Sequence, residues 1–305
     1  MELLVKLGDV ELEYGGPLLG ELRESDPRSQ NDATLRERLE NDGYLLIRGL
    51  HPRDQIERAR LTILEYLAGF GVLDPDAPLT EGRINLAQGP SGGFQPDMRA
   101  MSRYFSARDD INDIVLAPER MNLIERLLGG PALSFDYRWM RIMGHAASTP
   151  AHCDIVYMGL GARRLLSVWT PFMDVPLDQG GLALCAGSHR WTRLRETYGA
   201  MDHYRDRTEA LFDSLPLELS ERWGGHWLTT HFRMGDVLVF DAYLLHASLE
   251  NQTDRFRLSL DSRYQLRADP VDERWMGENP YSLEARRADD QQKRPLCEAR
   301  REWGI

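Results

Sequence analysis

The 305-residue chain has almost no lysine: Lys6 and Lys293 are the only two among 37 basic residues, and the other 35 are arginine. With so many arginines, no single one signals a function by its presence alone. A basic block is also missing. The formal net charge is −11, and nucleic-acid binding needs clustered Lys and Arg to neutralise phosphates, so a nucleic-acid partner is excluded. No apolar run approaches the ~18 residues of a membrane-spanning helix, so no membrane partner is expected. The opening Met-Glu-Leu-Leu-Val-Lys carries acid where a secretory signal carries base, and its apolar run is short. Cysteine is scarce, odd in number and widely spaced (Cys153, Cys185, Cys297). That pattern builds neither a disulfide framework nor a CxxC zinc site and points to the reducing cytoplasm.

What is present is an ordinary globular composition, 42% hydrophobic and 28% charged. The chain is long enough to bury a core without staples. Residues 1–33 form an acidic arm with Gly15-Gly16-Pro17 and Asp26-Pro27 as breakers, expected to be irregular cover with at most a short strand. Helical stretches are expected over 34–40, 51–67 and 108–128, the last broken at Pro118, with a short strand at Tyr44-Leu45-Leu46-Ile47. Residues 71–103 read as a long patternless loop, which in a compact protein is usually functional. From Leu133 the texture turns to strands: 133–143, 152–158, 163–175, 182–186, 227–232, 236–241, 244–249 and 255–266. Residues 191–225 interrupt them as a partly helical insertion. Residues 267–305 carry 17 charged residues without a period and are expected as an irregular or helical surface extension. Helices first and strands afterwards argue for a mainly β core under an N-terminal helical layer, all within one domain spanning 1–305.

His152-Cys153-Asp154 is the only His-x-Asp in the chain. On an extended segment residues i and i+2 point the same way, so imidazole and carboxylate can meet one metal. A strand-end His beside a turn Asp is the plainer alternative. His246 follows 94 residues later, after the turn and strand Gly235–Asp241. Two His and one carboxylate, with three positions left open, make the facial triad of non-haem Fe(II) oxygenases, whereas structural zinc takes four protein ligands. Arg257 lies 11 residues beyond His246 on a strand whose alternation sets Arg255, Arg257, Ser259, Asp261 and Arg263 on one face and Phe256, Leu258 and Leu260 on the other. Such a polar face either meets water or lines a ligand cavity. In a cavity, an Arg can grip a carboxylate bidentately.

Taken in order, His152-x-Asp154, Gly181-Leu-Ala-Leu-Cys-Ala-Gly187-Ser188-His189, Gly235-Asp236, His246-x-Ser248 and Arg257 resemble the phytanoyl-CoA dioxygenase family of Fe(II)/2-oxoglutarate oxygenases. Asn41-Asp42-Gly43-Tyr44 through Arg48-Gly49-Leu50 is similar to that family's opening, and the resemblance runs over residues 34–266. It implies a double-stranded β-helix, the cupin-like jelly roll. It implies His152, Asp154 and His246 as iron ligands, and Arg257 as anchor of the distal carboxylate of 2-oxoglutarate with Ser248 beside it. Trp169 would flank the co-substrate or pack in the core, and Arg141 would reach co-substrate or substrate.

Two positions depart from the family pattern. Cys153 stands where Gln is usual, placing a thiol near the co-substrate, and Ala186 stands where Pro usually precedes Gly-Ser-His. Asp154 is retained, which argues against the related halogenases, where a small residue makes room for chloride. The implied activity is hydroxylation of an unactivated C–H bond of a small-molecule metabolite or natural-product intermediate, using dioxygen and releasing succinate and CO2. Desaturation, cyclisation or epimerisation at the same site, or a non-catalytic jelly-roll binding protein, are the alternatives. The residues leave open whether the chain is a monomer or a homo-oligomer. His189 reads as a turn-fixing residue. The 71–103 and 191–225 segments are the expected lids.

Overall fold

The computed structural model describes residues 3–212, 216–281 and 292–305. Positions 1–2 of the arm, 213–215 of the insertion and 282–291 of the extension lie outside them. The arm is more ordered than its breakers suggest. It forms a hairpin, β1 (Leu4–Leu7) with β2 (Val10–Glu13), and then β3 (Leu19–Glu21). Val5, Leu7 and Leu12 are buried on its inner side.

The helical layer follows. The side chain of Asn31 accepts the Thr34 N–H and starts α1 (Asp32–Asp42). Gly43, at φ 84°, stops it and turns the chain into β4 (Tyr44–Ile47). α2 (Arg53–Ala68) buries Ile56, Ala59, Ile63 and Leu67, the face its periodicity indicates. Within the supposed loop 71–103 the structure places the start of α3 (Met98–Ser106), whose N-cap Asp97 accepts the Arg99 and Ala100 N–H groups. Only Met101, Ser102 and Phe105 of that helix are buried, too short a stripe to stand out beside the flanking Gly and Pro. α4 (Asp109–Val115) and α5 (Pro118–Leu128) divide at Pro118, which occupies the first turn of α5, where its missing N–H costs nothing.

The remaining elements are β5 (Ala132–Ser134), β6 (Trp139–Met143), β7 (Leu166–Pro171), β8 (Leu182–Ala186), α6 (Thr192–Glu196), α7 (Pro216–Trp223), β9 (His226–Thr229), β10 (Val237–Asp241), β11 (His246–Ser248), β12 (Arg257–Leu266) and α8 (Leu296–Trp303). The expected strand 133–143 is two strands. The expected strand 152–158 is an isolated bridge, His152 to His246, followed by a 3-10 turn over Asp154–Tyr157.

The strands build a double-stranded β-helix from two sheets. The larger runs β4-β10-β7-β12-β5, with β6 also on β12, and the smaller runs β11-β8-β9-β3. Ten-residue β12 organises the larger sheet: Ser259–Tyr264 pair with β7 on one edge, while Arg257–Asp261 pair with β6 and Tyr264–Leu266 with β5 on the other. Its outward residues Leu258, Leu260 and Tyr264 join the hydrophobic cluster under α1–α5. There the buried Arg120 donates to His51 and Thr170, and the Tyr264 hydroxyl donates to the Val115 carbonyl.

A second cluster covers the outer face of the small sheet. It gathers Ala183, Cys185 and Ala247 with the β1–β2 hairpin, Tyr198 and Phe212 of the insertion, and Trp275, Leu296, Ala299 and Ile305 of the extension. The extension is therefore partly core and not only a surface tail. Apolar residues spaced without a period gave no sign of this. Among the described residues no helix is long and apolar enough to cross a membrane.

Gly43 is a tight joint between layers. Its carbonyl accepts the Asp241 N–H, and a Cβ there would sit 2.5 Å from His189 Nδ1 and 2.7 Å from Leu244 Cδ1. Gly49 also has positive φ (56°) but open space around it. Gly43→Ala should therefore cost about 2–4 kcal/mol, combining backbone strain and overpacking, and Gly49→Ala only about 1 kcal/mol. Urea unfolding of the two variants checks this; equal losses would refute the steric part.

Candidate active site

The inward faces of both sheets supply the site. β11 turns His246 and Ser248 inward and Ala247 outward. The bridge between His152 and His246, with N–H···O distances of 3.0 Å both ways, sets the two imidazoles side by side, ring centroids 4.2 Å apart. Each ring is oriented the same way. The Nδ1–H of His152 donates to the Pro150 carbonyl at 2.9 Å, and that of His246 to the Leu244 carbonyl at 3.0 Å. A carbonyl only accepts, so Nδ1 carries a proton in each ring and Nε2 is the atom turned toward the place a metal would take.

Cys153 is extended, so Asp154 returns to the face of His152. Asp154 Oδ1 lies 3.9 Å from His152 Nε2 and 3.8 Å from His246 Nε2. One ligand atom from each of the three residues falls within 4.8 Å of the others, a spacing that can hold one ion. All three side chains are buried.

Two further residues hold Asp154. Arg263 Nη2 is 2.7 Å from its Oδ1, and the Ser167 hydroxyl donates to its Oδ2 at 2.6 Å. Burial alone would raise this carboxyl, but Arg263, the two imidazoles and Ser167 outweigh it and keep it well below the usual carboxylate range. His152 moves the other way from a charged imidazole: burial, and then His246 beside it, push its pKa down to about 3, leaving it neutral and able to ligate.

β12 turns Arg257, Ser259, Asp261 and Arg263 into the same interior. Arg257 is buried, and its guanidinium donates to the Ser259 hydroxyl. Among the described residues no carboxylate is in direct contact with it, and its Nε has no hydrogen-bond partner. Burial lowers its pKa to about 10, with Asp261 opposing and Arg141 adding to the shift. Arg141 Nε reaches Asp261 Oδ2 at 3.1 Å. Trp169 shares the inward face of β7 with Ser167 and packs edge-on against Phe232 at 4.6 Å. The Ser248 hydroxyl oxygen accepts the Thr149 N–H at 2.7 Å, and among the described residues the hydroxyl proton has no acceptor.

Cys153 is the exception among the expected residues. Its thiol donates to the Tyr243 carbonyl at 3.0 Å and packs in the outer cluster near Tyr198, because alternation sends it opposite to His152 and Asp154. It does not face the site, and burial pushes its pKa well up, so it is not the thiol near the co-substrate that its position in the motif implies. His189 holds a turn, as expected, with Nε2 2.9 Å from the Glu40 carbonyl.

Beside the triad lies a cavity of about 290 Å³. Both supposed lids reach it: Met98 and Arg99 from the first, Tyr204 and Leu211 from the insertion. Tyr137, Trp139, Tyr157, Trp275 and Tyr281 supply aromatic walls. Sequence reasoning missed Ser167, the role of Arg263 and these aromatics. Arg263 had a legible signal, since it lies on the same strand face as Arg257; the aromatics had none.

Neutral buried imidazoles have a consequence for stability. The unfolded chain takes up a proton on each His near pH 6.5. Folded, His152 resists until about 3 and His51, buried against Arg120, until about 2. These folded values are depressed, so the stability of the metal-free protein is full above pH 6.5 and falls as pH drops below it. Each His contributes a slope of up to about 1.4 kcal/mol per pH unit; His203, pushed down to about 4, acts in the same direction. Urea midpoints at pH 7, 6 and 5 should decrease in order, and a flat profile would contradict the neutral-histidine assignment.

Residues 39–259 match the phytanoyl-CoA dioxygenase family. The chain is 27% identical over 235 residues to 1-deoxypentalenic acid 11-beta-hydroxylase of Streptomyces exfoliatus, covering 73% of this chain and 77% of that protein. The Streptomyces arenae protein of the same name is 24% identical over 233 residues, with the same coverage of each chain. Among solved structures, the non-heme α-ketoglutarate-dependent carbocyclase SnoK from nogalamycin biosynthesis superposes with TM-score 0.57 at 15% identity, over 90% of this chain and 96% of that one. The epimerase SnoN from the same biosynthesis gives TM-score 0.54 at 18% identity, over 85% and 89%. At these identities the structural likeness is one of fold. The family match spans the triad and Arg257 on a fold that places them in one interior, and on that basis the chain belongs to the phytanoyl-CoA dioxygenase family of Fe(II)/2-oxoglutarate-dependent oxygenases.

Proposed function

We propose that this protein hydroxylates an unactivated C–H bond of a small-molecule metabolite or natural-product intermediate, with His152, Asp154 and His246 as the iron ligands. The observation that carries this reading is the pairing of two features in one interior: three convergent ligand atoms, and a buried guanidinium, Arg257, without a carboxylate of its own. The donor set fits Fe(II), with two neutral imidazoles and one carboxylate.

Bound iron supplies the oxidising chemistry, in which 2-oxoglutarate and dioxygen are consumed with release of succinate and CO2. The rest is the work of the chain. Arg257 grips the distal carboxylate of 2-oxoglutarate, which a buried guanidinium with an unpartnered Nε favours. The Ser248 hydroxyl, still able to donate, assists it, and the inward Trp169 bounds the slot. Arg263 and Ser167 hold the Asp154 carboxylate in place, and the Pro150 and Leu244 carbonyls hold the imidazoles. The aromatic walls exclude water and orient the substrate at the open side of the triad.

Residues 1–305 act as one oxygenase domain, in a cytoplasm its free cysteines suit, and the net charge of −11 fits neither nucleic acid nor an anionic membrane as partner. Epimerisation and cyclisation, the activities in the names of SnoN and SnoK, would use the same ligands. Product mass separates them, since hydroxylation adds one oxygen.

The expected result is succinate formation from 2-oxoglutarate that requires Fe(II), is lost with a chelator and returns on adding Fe(II). His152→Ala and His246→Ala abolish it. Arg257→Ala raises KM for 2-oxoglutarate roughly 30–1,000-fold while iron binding persists, the cost of removing one partner of a buried charge pair. Full activity in either His variant would overturn the ligand assignment.

A further inference from the structure

Asp154-Ile155-Val156-Tyr157 is a single 3-10 turn. Such a turn takes three residues, so side chains three apart lie one above the other. Asp154 and Tyr157 accordingly both line the cavity, while Ile155 and Val156 are buried in the outer cluster. The backbone of this turn is held along its length. The Ile155 N–H donates to the Ala242 carbonyl at 2.9 Å, and the His203 N–H to the Val156 carbonyl at 2.7 Å. Arg274 donates to the Tyr157 carbonyl at 3.3 Å, and its guanidinium is itself held by Asp202 and Asp272. The Tyr157 ring meets the His152 imidazole edge-on, with centroids 6.0 Å apart. Its offset from the metal ligands is therefore set by the backbone.

Four tyrosines line the cavity, and three of their hydroxyls are engaged: Tyr137 with Ser102, and Tyr204 and Tyr281 with each other. The Tyr157 hydroxyl has no partner among the described residues, yet it is accessible. A hydroxyl in such a wall normally finds an acceptor. The Trp275 indole N–H also lacks a partner, but it is sealed from the cavity. A substrate that fills the cavity excludes water from the Tyr157 hydroxyl. It must then offer an acceptor there or leave the group unpaired, which is unfavourable.

We infer that Tyr157 is a specificity-determining residue whose hydroxyl donates a hydrogen bond to an oxygen of the substrate, one 3-10 turn away from the metal ligand Asp154. The inference rests on the oxygenase reading for the metal at the triad. A site built to donate at this point favours substrates that carry an acceptor there and disfavours those that lack it.

The test uses the full chain with Fe(II) and 2-oxoglutarate under anaerobic conditions and needs no turnover. The probes are 2-acetylnaphthalene, whose ketone oxygen accepts, and its hydrocarbon isostere 2-isopropenylnaphthalene, titrated by quenching of tryptophan fluorescence and by calorimetry. Tyr157→Phe, which keeps the ring, should weaken the ketone roughly three- to tenfold, the worth of one neutral hydrogen bond, and leave the hydrocarbon within about twofold. Tyr204→Phe removes a hydroxyl already bonded to Tyr281 and should leave the ketone-to-hydrocarbon ratio within about twofold of wild type.

No binding of the ketone to the wild-type protein, or an equal loss of both probes in Tyr157→Phe, would overturn the proposal. So would a ketone affinity that survives Tyr157→Phe, which assigns the bond to another wall donor such as Arg141 or Thr149, or a ketone-selective loss of the same size in Tyr204→Phe. The visible absorption of the Fe(II)–2-oxoglutarate chelate reports separately on the oxygenase reading. If the chelate forms without a ketone-selective loss in Tyr157→Phe, only the role of Tyr157 fails. If no chelate forms, the oxygenase reading fails, and the two probes still decide whether Tyr157 holds an oxygen in this cavity.

Discussion

Strict alternation along β12 is the constraint on which the rest of the structure depends. Every second residue from Arg257 to Arg263 is polar and points into a closed β interior, while Leu258, Leu260 and Tyr264 point into the helical layer. A one-residue slip would exchange the two sets, burying the polar set under the helices and opening the apolar set into the cavity. Register is held from both edges, by β7 on one side and by β6 and β5 on the other. The polar row is then obliged to find partners inside, and its partners are the site: Asp154 for Arg263, Arg141 for Asp261.

The helical layer contributes indirectly. Its cluster seals the back of the large sheet, and even there a buried charge is managed: Arg120 is held by His51, Thr170 and, at longer range, Ser262 and Tyr264. The small sheet is sealed from the opposite side by the arm, the insertion and the extension. These three segments are remote in sequence yet share one cluster, and the last two also send Tyr204, Trp275 and Tyr281 to the cavity wall. His246 and Arg257 thus sit on strands, with His152 on a bridge to β11 and Asp154 on the turn after it, while much of the cavity's aromatic wall sits on the segments packed around them. That division lets one scaffold serve many substrates.

This division also explains what was legible in the sequence. The convergence of His152, Asp154 and His246 and the inward place of Arg257 were, because those side chains stand at spacings the β-helix brings together. The break before α5 at Pro118 was, because caps are local, whereas the helix read over 34–40 stopped short of Asn31 and Gly43, which cap α1. The split of 133–143, the 3-10 turn after Asp154 and α3 were not, because pairing partners far along the chain, and not local propensity, end those elements. Cys153 illustrates the limit well: its place in the motif implies nearness to the site, while strand alternation sends its thiol outward. The aromatic wall was illegible for a related reason, since Trp139, Tyr204, Trp275 and Tyr281 converge only through tertiary packing.

The hydrogen bonds around Asp154 bear directly on what the triad can do. Oδ2 is engaged by Ser167 and Oδ1 by Arg263, and Oδ1 is the oxygen facing both imidazoles. Ligation through both oxygens would require breaking the Ser167 contact and turning the carboxylate away from Arg263. One-oxygen ligation requires neither, so the carboxylate is held in the mode that occupies a single coordination position. With each imidazole fixed by a carbonyl two residues before it, these three residues would commit three positions of a bound ion. A six-coordinate ion would keep three open, the number that a chelating 2-oxo acid and dioxygen need.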